Sequence, residues 1–321
     1  MGATEDAAAR RVIAGQKPTC IAGRGTRLLR MDPFRVTVRR GSVVEAVHRV
    51  HAVAVEGGRV VQSAGNPELV AFFRSSSKPI QALPLARERD DITDVELAIA
   101  CASHRAGEAQ LAAAASLLAK APATEDDLEC GRQEGRGPSP LAHNCSGKHA
   151  GFLAVCRVRG WPTAGYRLAG HPMQQLLHEE VSAAAEIPRD EVPAAIDGCG
   201  VLTFALTLER MAHSFSRLAQ LDGGAPVAAT MAAHPELVGY EHGANDTELM
   251  RLRQGWIAKG GAEGLICAAS PEGLGIALKA EDGAMRGLRA ALATFLDLGD
   301  DFSAAPVTNM HGETVGKITV A

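Results

Sequence analysis

The sequence predicts a mixed α/β (α+β) fold in which one sheet takes strands from both chain ends and a helical region is inserted between them. Three observations carry this. Residues 34–62 read as strands, with Phe34 to Val38 alternating polar and apolar positions, Val315 to Val320 reads as a final strand, and the stretch between is rich in Ala and Leu at helical spacing. At 321 residues the chain is long enough for one large domain or two modest ones. No internal repeat or low-complexity linker divides it. We therefore expect an irregular N-terminal extension over residues 1–30, then a single unit over 31–321 with a helical subdomain at about 85–250.

The elements follow in order. Phe34 to Val38 alternates, and His51 to Val61 reads as a hairpin around Glu56-Gly57-Gly58. Ala71 to Arg74 is a short strand or lead-in. Ser75-Ser76-Ser77-Lys78-Pro79 then places serines and a proline where a helix starts, ahead of Ile80 to Ala86. Residues 94–121 are helical with a break at Cys101 to His104. Residues 130–148 hold Gly, Pro, Ser and Asn and read as a long functional loop. Helices are expected at 148–158, 171–186, 204–220 and 226–234, paired strands across 255–281, and a helix near 284–297.

Composition excludes several function classes. With 37 acidic and 33 basic residues the net charge is −4, which leaves no basic surface for nucleic acid or anionic membranes. Aromatic residues are 4% of the chain, too few for a base-stacking platform. No apolar run approaches the roughly 20 residues of a membrane span. The acidic N-terminus is no signal peptide, and seven cysteines suit a reduced, cytoplasmic protein better than a disulfide framework.

Only seven of the 33 basic residues are lysines. Arginine stays protonated, whereas a buried lysine can become neutral and act as a base. Lys78, Lys148 and Lys259 lie in Gly/Ser-rich segments and so draw attention. Ser75 and Lys78 form an S-x-x-K unit, with Ser75 alone among its neighbours having a lysine at i+3. A serine hydroxyl needs a base, and lysine serves once burial or a second cation lowers its pKa. The bland alternative is a serine-capped helix with a surface lysine. Lys259-Gly260-Gly261 late in the chain adds a second lysine, whose alternative is a solvated hairpin turn. S-x-x-K early with K-x-G late is the arrangement of serine acyl-transfer enzymes. Ser103, in the break beside His104, is a candidate for the middle hydroxyl, or else a helix cap.

Asn144-Cys145-Ser146-Gly147-Lys148-His149 and Asp197-Gly198-Cys199-Gly200 gather groups able to hold a metal or a polar substrate. Neither is a C-x-x-C zinc motif. Lysine is a rare ligand because it must lose its proton, so a buried thiol at Cys145 and a small residue in a glycine turn at Cys199 compete with a zinc reading. Cys101, Cys130, Cys156 and Cys267 read as inert.

These segments together, with Cys101-Ala102-Ser103-His104 and Lys259 to Gly264, resemble the asparaginase II family of the rhizobial, thermolabile type from about residue 34 onward. The resemblance implies a fold related to serine β-lactamases and glutaminases, and hydrolysis of L-asparagine to L-aspartate and ammonia by a homodimer. It implies two Ser–Lys pairs, Ser75/Lys78 and Ser103/Lys259, and a zinc site at Cys145, Lys148 and Cys199. Arg74 is expected to hold the substrate carboxylate and Asp197 its ammonium, with His104, Asn144 and His149 as further substrate partners. The alternatives are another Ser–Lys amidohydrolase, of glutaminase or β-lactamase type, or a non-catalytic zinc-binding protein.

Overall fold

A computed structural model describes residues 29–239, 243–303 and 305–321. Most of the expected N-terminal extension, residues 1–28, lies outside the described residues.

The main sheet has nine strands among the described residues. They are β1 (Leu29–Met31), β2 (Phe34–Arg40), β3 (Val43–Glu56) and β4 (Arg59–Ala64) from the N-terminal part, and β8 (Ile257–Gly261), β9 (Leu265–Ala269), β10 (Gly275–Ala280), β11 (Pro306–Thr308) and β12 (Thr314–Val320) from the C-terminal part. The order is β11-β12-β2-β3-β10-β9-β8, with β4 on β3 and β1 on β4. Both chain ends build one sheet, as the alternation predicts. β12 runs antiparallel to β2, with Val320 opposite Val36, and β10 runs antiparallel to β3, with Gly275 opposite Val55. The 14-residue β3 serves two neighbours on one edge: its first half pairs with β2 and its second half with β4. Residues 29 and 30, expected in the irregular extension, instead join Met31 in a parallel strand on the free edge of β4.

A second, three-stranded sheet sits within the helical region: β5 (Val70–Phe72), β7 (Leu202–Thr207) and β6 (Ala194–Ile196), with β7 central. Here one expectation fails. The helix placed over 204–220 starts only at Leu208 and ends at Ser216. Leu202 to Leu206 are buried, as suits a strand covered on both faces, and helical spacing cannot be told from such a short apolar run. The Thr207 side chain then caps the helix by accepting from the Arg210 N–H at 3.2 Å.

Helices Asp94–Ala100, Glu108–Lys120, Ser146–Val158 and Pro172–Ala185 lie where spacing puts them, whereas Asn245–Leu252 and the four-residue helices Pro235–Val238 and Asp300–Ser303 were not expected. Thr93 and Glu96 form a capping box that starts the first of these. No helix among the described residues is long and apolar enough to cross a membrane. Helix Ser146–Val158 packs directly onto the backbone of helix Asp94–Ala100: a Cβ at Gly147 would lie 2.3 Å from the Ile99 carbonyl oxygen. Gly147 is the second residue of its helix, where an alanine is ordinarily well accepted. Here the clash is with backbone that cannot turn aside, and overpacking costs about 1–3 kcal/mol. Gly147→Ala is therefore expected to lower the thermal unfolding midpoint. An equal or higher midpoint would show that the two helices can separate freely.

Candidate active site

The chain reaches Ser75 through a strained turn. Arg74 has φ +48°, a left-handed conformation that costs a non-glycine residue energy and persists only when its surroundings enforce it. Two contacts enforce it. The Arg74 N–H donates to Thr203 Oγ1 at 3.1 Å, and its Nε donates to Asp197 Oδ1 at 2.7 Å. A 3₁₀ turn, Arg74–Ser77, then runs into the short helix Lys78–Gln81. Within the turn the serines separate by task. Ser76 donates to the Lys259 carbonyl and Ser77 to the Arg74 carbonyl, each at 2.8 Å. Ser75 instead lines a cavity of about 260 Å³ shared with Ser103, Asn144, Asp246, Lys259 and Met285. That volume is just below the usual range of drug-sized pockets and suits a small substrate.

Lys78 is buried to 1% exposure. Its Nζ meets three oxygens: the carbonyls of Ala102 and Asn144, and the Ser103 hydroxyl at 3.0 Å. Burial pushes its pKa down to about 8. The cations Lys148 and Lys259 act in the same direction, while Cys145 and Cys199 oppose them. A neutral amine has two N–H donors and one lone pair, and a carbonyl cannot donate to that lone pair. Of the three partners only Ser103 can reverse its hydrogen bond when Lys78 loses its proton. The expectation drawn from the resemblance pairs Ser103 with Lys259. In the structure the Ser103 hydroxyl is the partner of Lys78, because the break after helix Asp94–Ala100 turns residue 103 toward it and fixes it by a Ser103 N–H bond to the Val238 carbonyl.

Lys259 comes from β8, whose pairing with β9 sets its direction. Its Nζ donates to Asp246 Oδ2 at 3.3 Å and to the Gly260 carbonyl at 3.0 Å. Asp246 was not legible in the sequence: at the start of helix Asn245–Leu252 it reads as an ordinary first-turn acid, and only its burial sets it apart. Thr203, which holds the Arg74 turn, gave no signal either.

The other candidates fall into two groups. Arg74 and Asp197, expected to receive the two ends of a substrate, meet each other. Burial opposes ionisation of Asp197, but Lys148, the Gly198 N–H and Arg74 hold its carboxyl below the usual range. His104 is buried below the break. Its Nδ1 accepts from the Ala106 N–H, so Nε2 carries the proton and donates to Ser146 Oγ at 2.8 Å. Burial, with Lys78 and Arg136 nearby, pushes its pKa down to about 3, so it stays neutral. It supports the backbone that carries Ser103. Asn144 lines the cavity and presents its carbonyl to Lys78.

The remaining group is a buried sulfur–nitrogen cluster. Cys145 caps the start of helix Ser146–Val158, Lys148 lies in its first turn, and Cys199 sits in the tight turn between β6 and β7. Lys148 Nζ is 3.2 Å from Cys199 Sγ. A hydrogen bond from Cys199, then the cations Lys78 and Lys148, holds Cys145 well below the ordinary thiol range despite burial. Burial works against the charge on Lys148, but Cys199, Cys145 and Asp197 raise its pKa. His149 Nδ1 accepts from the Tyr166 hydroxyl at 2.7 Å. Nε2 then carries the proton and lies buried against the Cys199 sulfur, toward which it donates. Elsewhere burial pushes the thiols of Cys101, Cys130 and Cys156 up to about 12, as inert core residues require.

Comparison with known proteins completes the description. No curated protein matches. Among solved structures, the chain is similar to Mglu in its native form in 4.3 M NaCl, at 16% identity and TM-score 0.48, over 78% of this chain and 62% of that one. It is similar to Mglu in its L-glutamate binding form at 15% identity and TM-score 0.47, over 82% and 63%. The chain thus spans less than two thirds of the length of those two Mglu chains. The family comparison covers far more: the sequence pattern described as L-asparaginase II matches from Val36 in β2 to Val320 in β12, the two strands that close the sheet. A chain matched from one closing strand to the other belongs to the L-asparaginase II family.

Proposed function

We propose that the protein is an amidohydrolase that converts L-asparagine to L-aspartate and ammonia through an acyl-enzyme on Ser75. The observation that carries this is the buried Lys78, with pKa about 8, in contact with Ser103 at the edge of a cavity that Ser75 also lines. Neutral Lys78 takes the proton of Ser75 as its oxygen attacks the side-chain amide carbon. The C–N bond then breaks, and the proton passes from Lys78 through Ser103 to the departing nitrogen, which leaves as ammonia. Water, deprotonated by Lys78, attacks the Ser75 ester and releases aspartate. The Lys259 cation beside Lys78 keeps that base from being protonated too readily. The Arg74–Asp197 pair holds the strained turn that presents Ser75. The homodimer and the cytoplasmic location expected from the sequence remain part of this proposal.

The test is turnover of three substrates in parallel, read as ammonia release from L-asparagine and L-glutamine and as the absorbance change on ring opening of a chromogenic β-lactam. Turnover is expected to be fastest with asparagine. A preference for glutamine or the lactam would transfer the same residues to another Ser–Lys amidohydrolase.

We extend the proposal to zinc, held by Cys145, Lys148 and Cys199. Among the described residues no three His, Cys, Asp or Glu side chains form a metal-ligand cluster, so the set depends on the amine. The donor chemistry fits: a thiolate at Cys145, a second sulfur at Cys199 and a nitrogen against it suit a borderline-soft ion, and His149 Nε2–H faces the sulfur as an outer donor. When bound, the metal would supply a Lewis-acidic contact for a substrate oxygen. Lys148 must give up its proton to ligate, so binding weakens as pH falls. Chelation is expected to raise KM more than it lowers kcat, with Cys199→Ser doing the same. Elemental analysis should find about one zinc per chain. A metal-free preparation with unchanged KM would exclude the metal from substrate binding.

A further inference from the structure

The cavity wall contains a buried carboxylate that the mechanism above leaves unused. Asp246 is 5% exposed. Its Oδ2 accepts from the Gly260 N–H at 2.9 Å and from Lys259 Nζ at 3.3 Å, and its Oδ1 accepts from the Thr247 N–H at 2.9 Å. One carboxylate therefore grips the lysine side chain and the next backbone amide on the same strand. The space for it is made by two glycines. A Cβ at Gly239 would lie 2.7 Å from Oδ1, and one at Gly260 3.3 Å from Oδ2. Burying a carboxylate is costly unless it is paired and hydrogen-bonded, and here both oxygens are engaged.

We propose that Asp246 is the positioning residue of the catalytic centre: it acts through Lys259, locking that cation at the cavity wall between Ser75 and Ser103. This rests on the Ser–Lys reading above. Lys259 sits on a strand whose other polar link to the serine turn is through its own carbonyl, which accepts from Ser76. Its four-carbon side chain has no other carboxylate partner among the described residues. Without Asp246 the ammonium is free to swing toward the Gly260 carbonyl alone. The charged groups that face this pair are Lys78, across the cavity, and the Cys101 thiol behind it, which burial keeps neutral. A purely structural ion pair would need only to exist; this one lines the space that substrate enters.

The experiment is a double-mutant cycle of Asp246→Asn and Lys259→Met in the full chain. It is read as kcat and KM for the amide substrate, with thermal midpoints on each variant and Ser75→Ala as control. Misplacing a group by about 1 Å costs roughly 100-fold in rate, and a loss of about that size in kcat is expected for Asp246→Asn, with KM changed by no more than about threefold. On the Lys259→Met background Asp246→Asn should cost less than about twofold further, because residues that act as a unit are not additive. Asparagine keeps one acceptor oxygen and sets its NH2 against the other backbone donor, so a backbone role would show as a lowered thermal midpoint that persists on the Lys259→Met background, whereas a role through Lys259 shows as a kcat loss that disappears there. If Asp246→Asn fails to fold through an unpaired buried lysine, the double variant Asp246→Leu/Lys259→Met removes both charges together, and it should fold and match the kcat of Lys259→Met. Fully additive losses, a wild-type kcat for Asp246→Asn, or a KM raised more than tenfold with kcat kept would each overturn the proposal. The last would make Asp246 a binder of the substrate ammonium. A wild-type kcat for Lys259→Met also overturns it while leaving Ser75 and Lys78 in place. An active Ser75→Ala control would instead show that the underlying Ser–Lys reading has failed.

Discussion

Ser75→Ala is expected to abolish turnover, by about 10⁴-fold or more, in a protein that folds normally. Nucleophile and base act as a unit, so losing either costs about as much as losing both. The geometry makes the choice of serine specific. Ser76 and Ser77 donate their hydroxyls to backbone carbonyls, and Ser75 lines the cavity. Ser76→Ala should therefore lower stability, since it removes a buried link to β8, while leaving a measurable rate. The half-buried Ser75 makes no comparable structural bond, so its loss should leave the melting midpoint close to that of the parent protein. Measured kcat with circular dichroism melting on both alanine variants settles the matter. Near-normal activity in Ser75→Ala would assign the nucleophile elsewhere.

Turnover is also expected to rise with pH. A lysine base works only when deprotonated, and the free Lys78 loses its proton at about 8. Below that value kcat/KM should fall tenfold per pH unit, so pH 6 should show about 1% of the plateau rate. The sign of a neighbouring change follows from charge. Lys259 is a cation that lowers the Lys78 pKa, so Lys259→Met should move the rising limb to higher pH. Lys78→Arg should be inactive at every pH, because a guanidinium does not release its proton in this range. An identical profile in Lys259→Met would show that the two amines do not sense each other.

Much of this was legible in the residues themselves. The sheet from both ends followed from the strand patterns at 34–62 and 315–320, and the three lysines singled out against an arginine-rich background are all buried. The signals failed where chemistry is decided by distance. Nothing in S-x-x-K says that Lys78 reaches Ser103 across 25 residues, and nothing in Asn245-Asp246-Thr247 separates a helix-start acid from a buried counter-ion. Charge alone assigned Arg74 and Asp197 to a substrate, yet opposite charges brought together by the β6–β7 turn pair with each other first. The strand at 202–207 escaped because a short apolar run has no period to read.

The pairing of β12 with β2 has a consequence for synthesis. Val36 waits on the ribosome for Val320, 284 residues later, before its edge of the sheet is closed. At about 5–20 residues per second that delay is roughly 15–55 s. Throughout it β2 is held only by β3, with a row of unpaired amides and carbonyls and a Val-Thr-Val centre available to any other extended chain. The sequence guards that interval by placing Arg35 before the apolar centre and Arg39 and Arg40 after it. Such flanking charges oppose edge-to-edge association. Those arginines are gatekeepers of the nascent chain, and once the sheet is complete Arg40 turns to Glu45 instead.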